Sequence, residues 1–103
     1  MPKQSKHPRL SCEEFWRLIL DLLRLKHACY ISTIELGNFK KSRFRPNQYH
    51  PRGMDSFDCT KRFHQEGIIL RYHVGRFVWL VLPNKRCIDA FERDFPDAKL
   101  ETK

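Results

Sequence analysis

The chain has little of what marks the common enzymes and membrane proteins. It contains only four glycines in 103 residues, without a glycine-rich phosphate-binding loop, a G-x-S-x-G nucleophile motif or the H-E-x-x-H spacing of a zinc protease. No stretch approaches the roughly 18 consecutive apolar residues of a transmembrane helix, and residues 1–9 lack an apolar signal core. We therefore expect a protein without enzymatic activity, cofactor or membrane contact, located inside the cell in the cytoplasm or nucleus.

The four cysteines also lack a familiar pattern. Cys12, Cys29, Cys59 and Cys87 include no C-x-x-C pair, and they are too sparse for a small secreted disulfide scaffold. We interpret them as buried free thiols. The five histidines leave open a metal site formed in space, but the sequence assigns no metal ligand.

Positive charge is abundant. Twenty Lys and Arg stand against twelve Asp and Glu, which gives a formal net charge of +8. Such an excess favours contact with a polyanion or an acidic partner, and the alternative is a basic surface that only keeps the protein in solution. The length and the 41% hydrophobic content suit one compact domain.

The first predicted helix begins at a capping box. Ser11 is followed three residues later by Glu14, which predicts a helix from Cys12 to about His27. The apolar residues that repeat at helical spacing, and that we expect to face the core, are Phe15, Leu18, Ile19, Leu22 and Leu25.

A second apolar stripe runs along the same helix through Trp16, Leu20 and Leu23. A helix that packs one face on a small core does not need it, so we expect another element to cover it. One candidate is a C-terminal helix capped by Asn84 and folded back over the first helix. The other is a second copy of the chain or a partner protein.

The middle of the chain predicts alternating short elements. Residues 28–32 read as a strand, and Ser32 can cap a second helix toward Phe39. A third helix is predicted over residues 55–66, ended by Gly67. An extended run then opens at residue 68, residues 72–76 form a tight connection, and residues 77–82 return as the second strand of a hairpin.

The junction after the third helix resembles a known family. Phe63, the polar residues 64–66, Gly67 and the aliphatic pair 68–69 resemble the passage from recognition helix to wing in winged helix-turn-helix domains. The resemblance implies an α+β, single-domain winged-helix-like fold of three helices, a β-hairpin wing and a C-terminal helix. We divide the chain into a basic N-terminal tail at 1–10, a winged-helix-like domain at 11–96 and a C-terminal tail at 97–103. A basic loop insertion at 38–54 departs from the short turn that is usual between the second and third helices.

The predicted function is nucleic-acid binding, with double-stranded DNA favoured over RNA and a role in transcription regulation. Residues 38–54 contain no Asp or Glu, and their basic residues alternate with aromatic ones. The candidate contact residues are Lys40, Lys41, Arg43, Arg45 and Arg52 in this loop, Lys61, Arg62 and Gln65 on the third helix, and Arg71 and Arg76 at the wing. The alternative is a protein interaction module or homodimer that uses Trp16, Leu20 and Leu23. On that alternative the loop and the wing arginines are ordinary solvated groups.

Overall fold

The chain combines helices with one antiparallel sheet, which confirms the predicted α+β class. The computed structural model describes residues 12–43 and 54–102, including all their side chains except those of Arg43 and residues 54–58. The elements in chain order are α1 (Cys12–Lys26), β1 (Tyr30–Ser32), α2 (Thr33–Arg43), α3 (Met54–Gln65), β2 (Leu70–Val74), β3 (Phe77–Val81), α4 (Lys85–Asp94) and β4 (Lys99–Leu100).

The sheet has the strand order β1-β3-β2-β4, and each neighbouring pair is antiparallel. Strands β2 and β3 form the predicted hairpin, but β2 extends to Val74 and the connection is only Gly75 and Arg76. Gly75 has a φ of +61°, which a glycine adopts without steric cost at the first position of a two-residue turn. Strand β1 adds to β3, with Ile31 opposite Leu80.

Helices α1, α2 and α3 cover one face of the sheet. Their shared core contains Phe15, Ile19 and Phe63 from the helices, packed on Ile31 and Leu80 from the strands. Helix α1 turns a slightly different face inward than the sequence predicted. Leu23 of the second stripe is buried, whereas Leu25 of the first stripe is 69% exposed.

The opposite face of the sheet is covered by α4. Phe91 and Cys87 are buried against Tyr72 and Val81, with Trp79 packed beside them. The expectation that α4 lies along α1 is therefore wrong. Strand β3 carries apolar side chains on both faces of the sheet, so the second face must be covered as well.

The ends of the helices follow local capping rules. Ser32 and Glu35 form a reciprocal capping box at α2, with N···O distances of 3.0 and 3.1 Å. Asn84 caps α4 by accepting a hydrogen bond from the Cys87 N–H, as predicted. The predicted capping box of α1 includes Ser11, which lies outside the described residues.

Two boundaries differ from the sequence prediction. Helix α2 continues to Arg43, so the first part of the predicted 38–54 loop is helical. The predicted C-terminal tail contains β4, which pairs with the outer edge of β2. Two-residue strands leave almost no periodic signal in a sequence, because alternation needs at least four residues to be seen.

The cysteines are not four free thiols. Cys12 and Cys59 form a disulfide between the start of α1 and the middle of α3, with the two Cα atoms 5.4 Å apart. Cys29 and Cys87 remain free. Within residues 12–43 and 54–102, no cluster of three or more His, Cys, Asp or Glu side chains is arranged to hold a metal ion. The same part of the chain has no helix with the length and apolarity needed to span a membrane.

Candidate nucleic-acid interface

Helix α3 separates buried from exposed residues as its sequence predicts. Cys59 and Phe63 are buried in the core, whereas Lys61, Arg62 and Gln65 are exposed. The three exposed side chains occupy positions i, i+1 and i+4 and therefore lie close together on the outer side of the helix. This group, Lys61, Arg62 and Gln65, is called the α3 row below.

An acidic residue adjoins the α3 row. Glu66 lies one turn after Arg62, and its Oε2 is 3.5 Å from Nε of Arg62. Both side chains are more than half exposed, so the pair is solvated and easily rearranged. The positive charge of Arg62 is thus partly compensated in the free protein.

The hairpin presents a second exposed group at its turn. Arg76 is exposed, and the neighbouring Phe77 is 48% exposed although it is large and apolar. A cation beside an accessible aromatic ring can contact a phosphate and pack on a sugar or base at the same time. Arg76 is therefore accessible, and its contact with nucleic acid stays a prediction.

Arg71 does not reach the surface. Its side chain is only 3% exposed, its Nε donates to Oε1 of Glu101 at 3.0 Å, and its Nη1 donates to Oγ1 of Thr60 at 2.6 Å. The prediction that Arg71 contacts nucleic acid is therefore wrong. Its guanidinium instead joins α3, β2 and the C-terminal segment.

His64 completes this network. Its Nδ1 accepts the backbone N–H of Arg71 at 3.1 Å, which leaves Nε2 to donate to the backbone carbonyl of Glu101 at 2.8 Å. The two contacts assign the neutral tautomer with the hydrogen on Nε2. His64 thus joins the end of α3 to β2 and to the chain beyond β4.

Glu101 is the acceptor on which the network converges. Burial raises the pKa of its carboxyl, but the hydrogen bond from His73 at 2.8 Å and the charge of Arg71 outweigh burial and hold the pKa below its usual value. Glu101 is therefore ionised near neutral pH and balances the buried guanidinium.

The basic residues of segment 38–54 are divided by the fold. Lys41 is exposed near the end of α2. Lys40 is only 5% exposed, with its Nζ 5.9 Å from the centre of the Phe15 ring. The prediction that Lys40 contacts nucleic acid is therefore wrong, because its side chain is packed inside the protein. The side chains of Arg43, Arg45 and Arg52 lie outside the described residues.

The net charge is concentrated in short parts of the chain. Residues 1–9 carry three Lys and Arg, residues 38–54 carry five and Lys103 adds one, and none of these parts contains Asp or Glu. The rest of the chain carries eleven Lys and Arg against all twelve Asp and Glu. An attraction to polyanions therefore depends mainly on residues 1–9 and 38–54. The α3 row and Arg76 follow these two segments in sequence and provide exposed polar groups.

The stripe expected to bind a partner is mostly covered by the chain itself. Leu23 is buried, and Trp16 packs edge-on against Phe63 with ring centres 5.4 Å apart. Leu20 lines an open cleft between α1 and the start of α4. The exposed apolar residues at this end of the molecule are instead Leu25 and Ile34.

Sequence reasoning missed the His64, Arg71 and Glu101 network. One signal for it was present, because positions 59, 60, 63 and 64 form a single face of α3 and place His64 beside the apolar residues. The partner Glu101 had no such signal, since it lies in a segment without periodicity. Comparison of the chain with protein-family models, curated proteins and solved structures found no match.

Proposed function

We propose that this chain is a winged-helix-like protein that binds double-stranded DNA through the α3 row, the β2–β3 hairpin and the basic segment 38–54. The observation that carries the proposal is the α3 row, three adjacent exposed side chains on a helix whose opposite face is fixed in the core. The order α1-β1-α2-α3-β2-β3, with the short β1 joined to the hairpin, supports the winged-helix part of the proposal.

The chemistry of the α3 row suits a DNA groove. A helix fits the major groove, where arginine can pair with both acceptors of guanine and glutamine with adenine. In this arrangement Arg62 and Gln65 contribute sequence preference, and Lys61 contacts phosphate. Arg76 and segment 38–54 add contacts to the flanking backbone. A regulator of transcription is the role that this mode of binding favours.

The decisive experiment reverses charge in the basic segment and spares Lys40, whose reversal would disturb the core. The variant carries Lys41, Arg43, Arg45 and Arg52 each changed to Glu. Its affinity for labelled duplex DNA, single-stranded DNA and RNA is measured by fluorescence anisotropy at several salt concentrations. We expect tightest binding to duplex DNA by the wild type, and a salt slope that becomes shallower by about one for each phosphate that the variant no longer neutralises.

A control variant makes the result specific. It carries the same change of charge at four exposed residues on α1, α4 and β4, namely Arg17, Lys85, Arg93 and Lys99. General repulsion affects both variants equally, so only the first is expected to weaken binding by orders of magnitude. Equal reductions of affinity in the two variants, or no binding of the wild type at low salt, would reject the proposal.

A second candidate is a protein interaction module, including a homodimer. Leu25 and Ile34 are 69% and 52% exposed, and they neighbour in sequence the ion pair of Lys26 with Glu35 that joins α1 to α2. Light scattering of the wild type and of Leu25→Glu tests this candidate. A wild type that is monomeric at high concentration and unchanged by the substitution would exclude self-association through this surface.

The expected location and the absence of enzymatic activity remain predictions. Disulfides persist mainly in oxidising environments. The Cys12–Cys59 bond therefore counts against the predicted cytoplasmic or nuclear location, where thiols are kept reduced.

A further inference from the structure

An open cleft lies where the last turns of α1, the corner that leads to β1 and the start of α4 come together. Its volume is about 580 Å³, within the usual range for small-molecule sites. None of the residues that line it belongs to α3 or to the β2–β3 hairpin. The cleft is therefore separate from the α3 row, and a ligand in it does not depend on whether the chain binds DNA.

The lining of the cleft divides by burial into an apolar floor and a basic rim. The floor is formed by buried or half-buried aliphatic side chains, namely Leu20, Leu23 and Leu82. The rim is formed by exposed basic side chains, namely Arg24, His27 and Arg86. Among the described residues, none that lines the cleft is acidic. A ligand that matches both parts of the lining has an apolar body and a negatively charged head.

The two arginines of the rim form no ion pair with any carboxylate of residues 12–43 and 54–102. Basic residues close to them in sequence differ, since Lys26 lies against Glu35 and Lys85 lies 3.2 Å from Asp89. An arginine without an ion pair keeps its N–H donors available, and its planar guanidinium can bind a carboxylate or a phosphate through two parallel hydrogen bonds. The cleft thus holds two available guanidinium groups, one from α1 and one from α4.

The two helix ends at the cleft act on an anion in opposite directions. The start of α4 carries the partial positive charge of a helix N-terminus, and its first turn contains no acidic residue. The end of α1 carries the opposite partial charge, but the carbonyls of Leu23 and Arg24 already accept the N–H groups of Ala28 and His27. The balance favours a negative group on the α4 side of the cleft, beside Arg86.

We propose that this cleft binds small amphipathic anions, molecules with an apolar body and one carboxylate or phosphate head. The head accepts hydrogen bonds from the guanidinium groups of Arg24 and Arg86, and the apolar body displaces water from Leu20, Leu23 and Leu82. A nucleic acid supplies phosphates without an apolar body, and a neutral lipid supplies an apolar body without a charge. Neither of these matches the whole lining.

The test titrates octanoate into the isotope-labelled full chain and follows the backbone amide signals by NMR. We expect saturable shifts that are concentrated in residues 20–29 and 82–87. Octanol lacks the charge and is expected to bind about ten-fold more weakly, since two exposed charge pairs are each worth about two- to five-fold. Acetate lacks the apolar body and is expected to bind at least about a hundred-fold more weakly, because each buried methylene contributes about four-fold. Octyl phosphate is titrated in parallel, and the tighter of the two anions identifies the preferred head group.

Two double variants separate the cleft from the general positive charge of the chain. Arg24→Gln/Arg86→Gln removes the rim charges, and Arg17→Gln/Arg93→Gln removes the same charge from exposed positions of the same two helices outside the lining. Only the first is expected to weaken octanoate binding, by about ten-fold. All four side chains are exposed, so both variants are expected to keep the fold, which the same spectra report. Equal affinities of the two variants, equal affinities of the wild type for octanoate and octanol, or an absence of saturable shifts at the cleft would overturn the proposal.

Discussion

His27 ends α1 in a conformation that suits glycine better than histidine. Its φ is 51°, in the left-handed region, and it is the only non-glycine residue with positive φ among residues 12–43 and 54–102. The Ala28 N–H bonds to the Leu23 carbonyl and the His27 N–H to the Arg24 carbonyl, which is the Schellman pattern of a helix end. Gly67 has the same place after α3, with a φ of 75°.

The two helix ends give a matched pair of substitutions. His27→Gly is expected to raise the free energy of unfolding by up to about 1 kcal/mol, because it removes the strain of a left-handed side chain. Gly67→Ala is expected to lower it by about 1 kcal/mol through backbone strain alone, since no atom lies within 4 Å of the added Cβ. Urea unfolding measures both, and a destabilised His27→Gly would contradict this account.

Glu101 is the residue whose ionisation links stability to pH. Its pKa is held below the usual value in the folded protein. The carboxyl of Glu101 therefore takes up a proton at higher pH in the unfolded chain than in the folded one. The stabilisation that its charge provides is present at neutral pH, and it is lost as the pH falls from about 4.5 through the lower pKa of the folded protein. Glu101→Gln should cost about 1–3 kcal/mol at neutral pH, because Arg71 loses its charged partner.

Unfolding curves at several pH values check this expectation. The gap in stability between wild type and Glu101→Gln is expected to narrow as the pH is lowered through the acid range. Glu13→Gln removes an exposed carboxylate on α1 and serves as the control. A gap that stays constant from neutral pH to acid would show that the charge of Glu101 does not stabilise the network.

At the scale of elements, the acidic Glu66 directly after α3 competes with DNA phosphate for Arg62. Glu66 pairs with Arg62, and an incoming phosphate must displace or outweigh that carboxylate. Glu66→Gln is expected to raise the affinity for duplex DNA by about two- to five-fold, the equivalent of about 0.5–1 kcal/mol for an exposed pair. Anisotropy at low salt measures the change.

Helix α1 offers a control of the same geometry. Glu13 and Arg17 form an exposed pair with the same four-residue spacing, on a different helix from the α3 row. Glu13→Gln changes the net charge equally and is expected to leave DNA affinity nearly unchanged. If the two substitutions raise affinity alike, the effect comes from net charge and not from α3.

The elements with strong local signals were predictable from the sequence. Helix α1 has a long apolar periodicity, α3 ends at Gly67, and the hairpin has two apolar runs around Gly75, and all three are present. The position of α4 was not predictable, because which side of the sheet needs a cover depends on Trp79 and Val81, whose direction is fixed only by strand register. Strand β4 was too short to leave a pattern.

The residues of the candidate site were likewise predictable only in part. The exposure of Lys61, Arg62 and Gln65 follows from helical periodicity alone. Buried Arg71 is paired with Glu101, thirty residues away in sequence, and buried Lys40 lies over the ring of Phe15 on another helix. A charged side chain is buried only where other groups pair with it, and a local sequence pattern cannot show partners that lie far away in the chain.

At the scale of the whole molecule, the Cys12–Cys59 disulfide joins the start of α1 to α3 across 47 residues of chain. A loop of that size implies a contribution of about 4 kcal/mol through the restricted unfolded state. The double variant Cys12→Ser/Cys59→Ser is expected to lose about that much stability in urea unfolding. The double change is used because a single one would leave an unpaired thiol in the core.

A reducing agent separates this bond from the second pair of cysteines. Reductant is expected to lower the stability of the wild type and of Cys29→Ser/Cys87→Ser by similar amounts, and to leave Cys12→Ser/Cys59→Ser unchanged. Because Trp16 also packs on Phe63 and so holds α1 against α3 independently of the disulfide, the α3 row is expected to stay in place and DNA affinity to persist below the unfolding transition. A wild type whose unfolding does not respond to reductant would show that the disulfide contributes little, and that packing between α1 and α3 alone holds the two helices together.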